Sequence, residues 1–570
     1  MAADQLSVHL VRDAQGRASW AIGQNNTAIP ADHASAPPRL PIQPGVVLAR
    51  DGRLVWDDAP LQLALDLRFQ AIDSRAPPTA TAGPATGLGT DLDHLALQAR
   101  ASGRYRGEAL SAMLRTGALR PWLPGGRDDQ TVPLQLQLVL GATRLQFDGE
   151  AADAAATRLR GRYALSGPSL AAAGRPLGLT LPTTATFAVH GNLARNGRLW
   201  QTLIDQARIG RSQFDGALSY DTATTPGLLA GRLHAAVLHL ADLGPAIGTG
   251  TPPASAGAGA RQRPSGQPPD RPSGRVLPDR AFDLPSLRAM DANVLLRMDR
   301  LDFGGGTLRD AAALNAHLLL NGGVLRLQDL EADLALGRVR GQLEMDARQS
   351  PARWSARLRA SGLRLEQWVR ALQRPGQPAY ASGRLATSLE LSGRGRSTAE
   401  LLATANGHMT LNWTQGTLSH LLVEAAGLDI AEGLGLLLRG DDNLAVHCGL
   451  AELQVQNGRV TPRVFIVDTA DSRLWLSGQL SLADERLALV ARVQPKDFSP
   501  LTLRAPLHIG GELGAPTLNL DRKTLASRAV PAALLAMAHP LAALIPLLDA
   551  GESASADGPG PDATRSCRRL

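Results

Sequence analysis

The sequence predicts a mainly β protein: an elongated, curved antiparallel β-sheet groove built from degenerate strand-pair repeats, with a few α-helices near the C-terminal end. Three observations carry that prediction. Apolar residues recur at every second position over many short runs, the signature of strands with one apolar and one wet face. Asn-Gly and Asp-Gly pairs punctuate the runs and supply the positive φ angles of tight hairpins. Among 570 residues only 4% are aromatic while glycines number 58, so aliphatic surface must be buried through many short elements. A chain of this length exceeds one compact core and calls for several domains or one extended repetitive body.

Residues 1–245 read as the first sheet segment. Leu61, Leu63, Leu65, Leu67 and Phe69 share one face, with Gln62, Asp66, Arg68 and Gln70 on the other. Val132, Leu134, Leu136, Leu138 and Leu140 repeat the device, and residues 76–90 form a Pro/Ala/Thr/Gly loop between them. A recurring unit is visible: a turn, a strand, a gap, and a strand ending in Gly-x-Leu. Asp51-Gly52 opens one such turn. Asn196-Gly197 leads to Gly216-Ala217-Leu218, Asn321-Gly322 to Gly341-Gln342-Leu343, and Asn457-Gly458 to Gly478-Gln479-Leu480. The glycine before leucine fits a bulge or bend that keeps a sheet curving. Such a unit cannot bury its own apolar face, so neighbours must stack.

Residues 246–281 are a Pro/Gly/Ser-rich stretch that cannot form a core and is expected to be a disordered insertion. Residues 282–396 form a central sheet segment in which Val294, Leu296 and Met298 resume the alternation, with a short helix expected over Leu365–Leu372. Residues 397–520 close the sheet. A helix-like 397–407 is followed by a strand at His408–Trp413, a longer helical pattern over Thr417–Leu438, and then strands alone. In residues 521–570 the apolar run Ala526–Asp549 approaches the length of a membrane span. Pro531, Pro540, Pro546 and His539 favour broken amphipathic helices that cap the sheet or lie at an interface, and a polar tail follows from Gly551.

Net charge is +7 and comes almost wholly from arginine, Lys496 and Lys523 being the lysines. The basic residues sit singly between apolar ones, so no nucleic-acid footprint is expected. Cys448 and Cys567 permit a disulfide without implying a framework. The chain does not open on a charged segment followed by an apolar run, so neither signal peptide nor N-terminal anchor is read there. Phosphate-loop, paired-histidine, Cys-x-x-Cys and Gly-x-Ser-x-Gly patterns are missing, and neither catalysis, a metal nor a cofactor is expected. His408, His420 and His447 read as sheet-face or packing residues, and Asp441-Asp442 as a solvated turn. Gly304–Gly306 and Gly433–Gly435 also read as turns. Cys448 follows His447 on a strand and should point to the opposite face.

What remains is the apolar sheet face. It is either closed by a second layer or left as an open trough for acyl chains. The helices are too few and too localised to cover a sheet drawn from most of the chain, and an exposed apolar face demands a ligand or partner. In the C-terminal part Leu474, Leu476, Leu480, Leu487, Leu489 and Val493 would line the trough, though parity does not say which face is inside. The shortage of strand aromatics disfavours a glycan-binding protein.

Residues 383–520 resemble the C-terminal region of the AsmA family of Gram-negative envelope proteins. The points of match are Ser397-Thr-Ala-Glu-Leu-Leu with Asn406-Gly407, Gln415-Gly416-Thr-Leu, and Ala451 through Asn457-Gly458-Arg-Val. Leu476-Ser-Gly478-Gln-Leu-Ser-Leu and Pro506-Leu-His-Ile-Gly-Gly-Glu-Leu-Gly-Ala-Pro516 complete them, and weaker similarity reaches back to Arg12–Trp20. The resemblance implies a bridge-like sheet with an apolar groove, active in outer-membrane assembly and binding or conducting phospholipids between inner and outer membranes. It implies periplasmic placement, usually with an inner-membrane anchor. Expected partners are phospholipids or other acyl lipids, both membrane surfaces, and outer-membrane assembly proteins. The alternative is a scaffold that contacts assembly machinery without conducting lipid.

Overall fold

The computed structural model describes residues 2–20, 48–73, 94–122, 130–174, 183–243, 286–302, 311–368, 379–419, 443–496 and 506–520, with Pro176, Leu181, Leu277, Asp279, Ala281, Phe282 and Leu284 between them. The protein is mainly β, with twenty-five strands among the described residues. The helices among the described residues are three short ones: α1 (Leu170–Gly174), α2 (Leu365–Trp368) and α3 (Thr398–Ala403). The chain divides into two compact units, Met1–His234 and Ala235–Leu570.

In the first unit the strands are β1 (Ala2–Arg12), β2 (Leu48–Asp58), β3 (Leu63–Asp73), β4 (Leu95–Tyr105), β5 (Glu108–Thr116) and β6 (Val132–Leu140). They continue with β7 (Thr143–Ala151), β8 (Arg158–Gly167), β9 (Phe187–Asn196), β10 (Leu199–Ile209), β11 (Ser212–Asp221) and the start of β12 (Gly227–His239). β1 and β2 run parallel. From β2 to β11 every sequence neighbour pairs antiparallel.

The second unit holds β13 (Met290–Asp302), β14 (Ala311–Asn321), β15 (Val324–Leu334), β16 (Gly337–Asp346), β17 (Ala352–Arg364) and β18 (Ala381–Gly395). Then come β19 (Asn406–Ser419), β20 (Asn443–Gln456), β21 (Arg459–Thr469), β22 (Ser472–Ser481), β23 (Arg486–Pro495), β24 (Leu507–Glu512) and β25 (Ala515–Leu520). All of these pair antiparallel with their sequence neighbours. Apart from the parallel β1–β2 pair, these pairings all join strands that are neighbours in sequence, as antiparallel hairpins do.

The Asn-Gly turns behave as the sequence predicts. Asn457 and Gly458 have φ +48° and +70°, and Gly197 and Gly322 are also left-handed. The Gly-x-Leu glycines lie mid-strand, opposite register shifts: Gly216 faces the shift between Ile204 and Ala207, and Gly341 the shift between Leu327 and Leu330. A Cβ at Gly341 would stand 2.1 Å from the Arg357 carbonyl oxygen, so only glycine lets the bulged strands close up.

Three expectations are corrected. Asp51-Gly52 is not a turn but the middle of β2, paired with Gln70 and Phe69, and glycine is required because the Phe69 ring occupies the space of a Cβ. Leu61 is not on the strand face with Leu63: the Asp58 carboxylate accepts the Leu61 N–H at 3.0 Å and Gln62 turns at φ +52°. Thr417–Ser419 extend β19 instead of starting a helix. Thr417 pairs with Ser382, their hydroxyls 2.6 Å apart, after Gln415 at φ +49° carries the strand past a bulge. The helical pattern beyond Ser419 lies outside the described residues, as do Asp441-Asp442, the glycine clusters 304–306 and 433–435, His420, most of 246–281, and the terminal helices.

Candidate functional site

Cross-strand register turns the local alternation into a surface. In the second unit one row runs Val294, Leu318, Leu327, Leu343, Ala356, Leu391, Gly407, Val455, Val460, Leu480 and Leu487, each opposite the next. Every position across β13 to β23 is aliphatic or glycine. A second row runs Leu363, Leu385, Trp413, Gly449, Val467, Leu474 and Val493. At about 4.8 Å between strands, the first row follows the sheet for roughly 50 Å. The first unit carries the same construction in Leu54, Leu67, Ala101, Ala112, Leu138, Leu145, Leu165 and Val189.

The other face is polar in the same register. Gln342, Arg357, Glu390, His408, Gln454 and Thr461 form one of its rows. Its charges pair among themselves: Arg357 bonds Glu390 at 3.0 Å and Arg340 meets Glu331 at 2.9 Å. A shallow open depression of about 1260 Å³ lies over this face of β15–β19, lined by those paired groups, and not over the apolar rows.

Burial separates the two faces. Along β16 Val339, Leu343 and Met345 are half-buried while Arg338, Arg340, Gln342 and Glu344 are exposed. Half-burial with no covering layer among the described elements means that the aliphatic side chains shelter one another. Among the described residues the helices pack at the ends of the strands, and Val294, Ala356 and Val455 of the first row are themselves buried. α2 and Trp368 pack on Leu363, Leu385, Trp413 and Val467 at one end, and α3 lies at the other, where Trp354 Nε1 donates to the Leu401 carbonyl at 3.2 Å.

All six residues expected to line a trough fall on one face of β22 and β23. Leu474 stands opposite Val493, Leu480 opposite Leu487, Leu476 opposite Ala491, and Leu489 opposite Gly478, all of the six half-buried. Sequence reasoning had not singled out Trp413, Leu343 or Leu391 as part of the same surface, although each obeys the period of two. Among the described residues no group of three His, Cys, Asp or Glu converges as a metal site requires. His408 faces Glu390 and Gln454 on the polar side, and His447 is the extra residue of a bulge in β20.

A charged cluster is buried at the ends of β20–β23. The Asp468 side chain is inaccessible, with Lys496 Nζ at 3.0 Å, Arg473 Nε at 3.3 Å and His447 Nδ1 at 3.9 Å. Burial pushes its carboxyl up, and the Lys496 and Arg473 cations outweigh that, holding it below the usual carboxylate range. Lys496 also donates to the Thr469 carbonyl, tying the end of β23 to the turn after β21. This is a structural clamp on the strand ends.

The sequence profile of the AsmA family matches residues 2–465. The chain belongs to the AsmA family. It is 30% identical over 462 residues to the AsmA family protein YhjG of Escherichia coli (strain K12), covering 80% of this chain. This AsmA-family chain spans 66% of that relative's length. No solved structure matches it. The profile ends within β21, so β22–β25 extend the hairpin succession beyond the matched region.

Proposed function

We propose that this AsmA-family chain is an envelope protein of outer-membrane assembly that binds acyl lipids, phospholipids foremost, along the apolar rows, and passes them between the inner and outer membranes. The observation that carries the reading is the uninterrupted aliphatic row from Val294 to Leu487, uncovered among the described elements. Each methylene moved from water onto such a surface adds about 0.8 kcal/mol, so roughly ten methylenes supply about 8 kcal/mol, equivalent to micromolar affinity. Relative to a bilayer the change is near zero, because aliphatic side chains offer a tail the same surroundings. That balance suits sliding, and the rows contain no charged clamp that would create a deep well. Catalysis has no part in this reading, and head groups stay in water. No described helix is long and apolar enough to cross a membrane. Placement in the periplasm is supported by family membership and by the disulfide at Cys448, since such bonds persist in oxidising compartments.

Native mass spectrometry of the purified chain tests the proposal. Co-purified phospholipid is expected, and a lipid-free protein that also fails to take up phospholipid from vesicles rejects it in favour of the non-conducting scaffold. The double substitution Leu476→Asp with Leu489→Asp should lower lipid occupancy at least tenfold while the circular dichroism of the sheet is retained. Full occupancy in a folded double variant would remove β22–β23 from the binding surface.

A further inference from the structure

The apolar face of the first unit carries a cation at its rim. Arg195 lies six positions along β9 from Val189 and so points to the same side as the aliphatic row. Across β4–β11 it is the one cation on that side among the described residues. It is half-buried and meets no carboxylate among them. Its Nε donates to the Gly197 carbonyl at 3.0 Å and its Nη1 to the Ala155 carbonyl at 3.5 Å, while the guanidinium carbon stands 4.8 Å from the centre of the Trp200 ring. A guanidinium has five N–H donors, so three remain for an acceptor. Trp200 stands directly opposite Arg195, and Tyr220 directly opposite Trp200, so two rings with polar tips flank the cation at the strand ends.

Two residues farther along the strands, about 7 Å, comes a pair of hydroxyls on the same face. Tyr163 on β8 reaches past Gly191 of β9 to Thr202 of β10, with Oη and Oγ1 2.9 Å apart. Burial pushes the Tyr163 phenol above its ordinary range, so it keeps its proton. One hydroxyl donates to the other, which leaves one O–H hydrogen of the pair without an acceptor among the described residues. A cation, then a spare hydroxyl donor, then aliphatic side chains match in order the phosphodiester, acyl esters and tails of a glycerophospholipid. We propose that Arg195 binds the phosphodiester of such a lipid, that the Tyr163–Thr202 pair donates to an acyl ester carbonyl, and that the tails leave along the row through Val189 and Leu165. The head group stays at the strand ends, in water. This site rests on the reading of the sheet as a lipid carrier and adds a choice of lipid to it. Acyl burial along the rows supplies most of the affinity, so Arg195 selects phosphorylated lipids more than it holds them.

Arginine labelling of the full chain with phenylglyoxal, read by peptide mass spectrometry, tests the site. Loading with phosphatidylglycerol should slow modification of Arg195 about fivefold, the scale of a half-exposed charge pair, and leave Arg162 on the opposite face unchanged. Diacylglycerol with the same acyl chains, loaded to the same number per chain, and free glycerol phosphate should both leave Arg195 reactive. Protection by diacylglycerol would mean that tails simply cover the residue, and protection by glycerol phosphate that it takes a soluble anion; either overturns the proposal. In competition between the two lipids, the ratio of phospholipid to diacylglycerol on the singly loaded chain should fall about fivefold in Arg195→Gln and be kept in Arg195→Lys. A folded Arg195→Gln that keeps the preference, or an unprotected Arg195 in a chain that carries phospholipid, rejects the head-group site and leaves the carrier reading standing. A chain that takes up neither lipid rejects both.

Discussion

Trp413 shows how a single residue constrains its surroundings in an otherwise aliphatic face. Its Nε1 donates to the Ser382 carbonyl at 2.9 Å, and glycines line its ring. A Cβ at Gly383 or at Gly416 would stand 2.4 Å from Nε1, and Gly383 is at φ +133°. Gly383→Ala should therefore lower stability by about 1–3 kcal/mol through crowding and backbone strain. An unchanged thermal midpoint would show that the indole can move aside. Asp468 allows a test by pH. Its carboxyl is held below the ordinary aspartate range in the fold, so the stabilisation is complete above that range and is lost as pH falls through the lower folded value. The stability gap between the protein and Asp468→Asn should be widest near neutral pH and shrink below about pH 4. A gap that is flat down to pH 2 would place the clamp's contribution elsewhere. At the surface, the Arg348 guanidinium beside Asp346 holds that carboxyl down to about 2, so this turn should keep its ion pair until the acid end of the same titration.

At the scale of elements, the hairpin is the unit of construction and the short helices are its end pieces. Ser397 caps α3 by accepting the Glu400 N–H at 3.2 Å, and the Glu400 carboxylate accepts the Arg396 N–H at 2.8 Å. The helix then rests on the β20–β21 turn, where a Cβ at Gly458 would lie 2.3 Å from the Ala403 carbonyl oxygen. Gly458→Ala should cost about 1–2 kcal/mol from the left-handed φ and displace α3. Hydrogen exchange should rise in 398–403 and stay the same in β13–β16. Equal protection throughout would show that α3 does not depend on this seat. The cap and the Asn-Gly turn were legible, because both are signals between residues a few positions apart. The seat of α3 was not, since it joins Ala403 to a turn made more than fifty residues later.

For the sheet as a whole, charge and apolar surface are segregated onto opposite faces of the described strands. Arg340 and Arg357 lie on the face away from the aliphatic rows and are paired there with Glu331 and Glu390. Lipid uptake should then change by less than about twofold between roughly 0.1 and 1 M salt, although screening shortens to a few ångströms over that range. A fall of tenfold or more would assign binding to head-group electrostatics instead.

Sequence by itself determined the class of element, the alternation that makes Leu474, Leu476 and Leu480 neighbours on a face, and the hairpins at Asn196, Asn321 and Asn457. These are consequences of a period of two and of positive φ, both read within a few residues. Only the tertiary structure decided that Leu480 and Val294 lie on one row, that Gly52 sits under Phe69 in mid-strand, and that Ile466 is sealed on the polar side. Those facts depend on register, and register accumulates through turns and bulges along eleven strands. A single bulged residue such as His447 reverses the facing of everything that follows in its strand. Pattern can name two faces, but pairing decides which residues of distant strands share them.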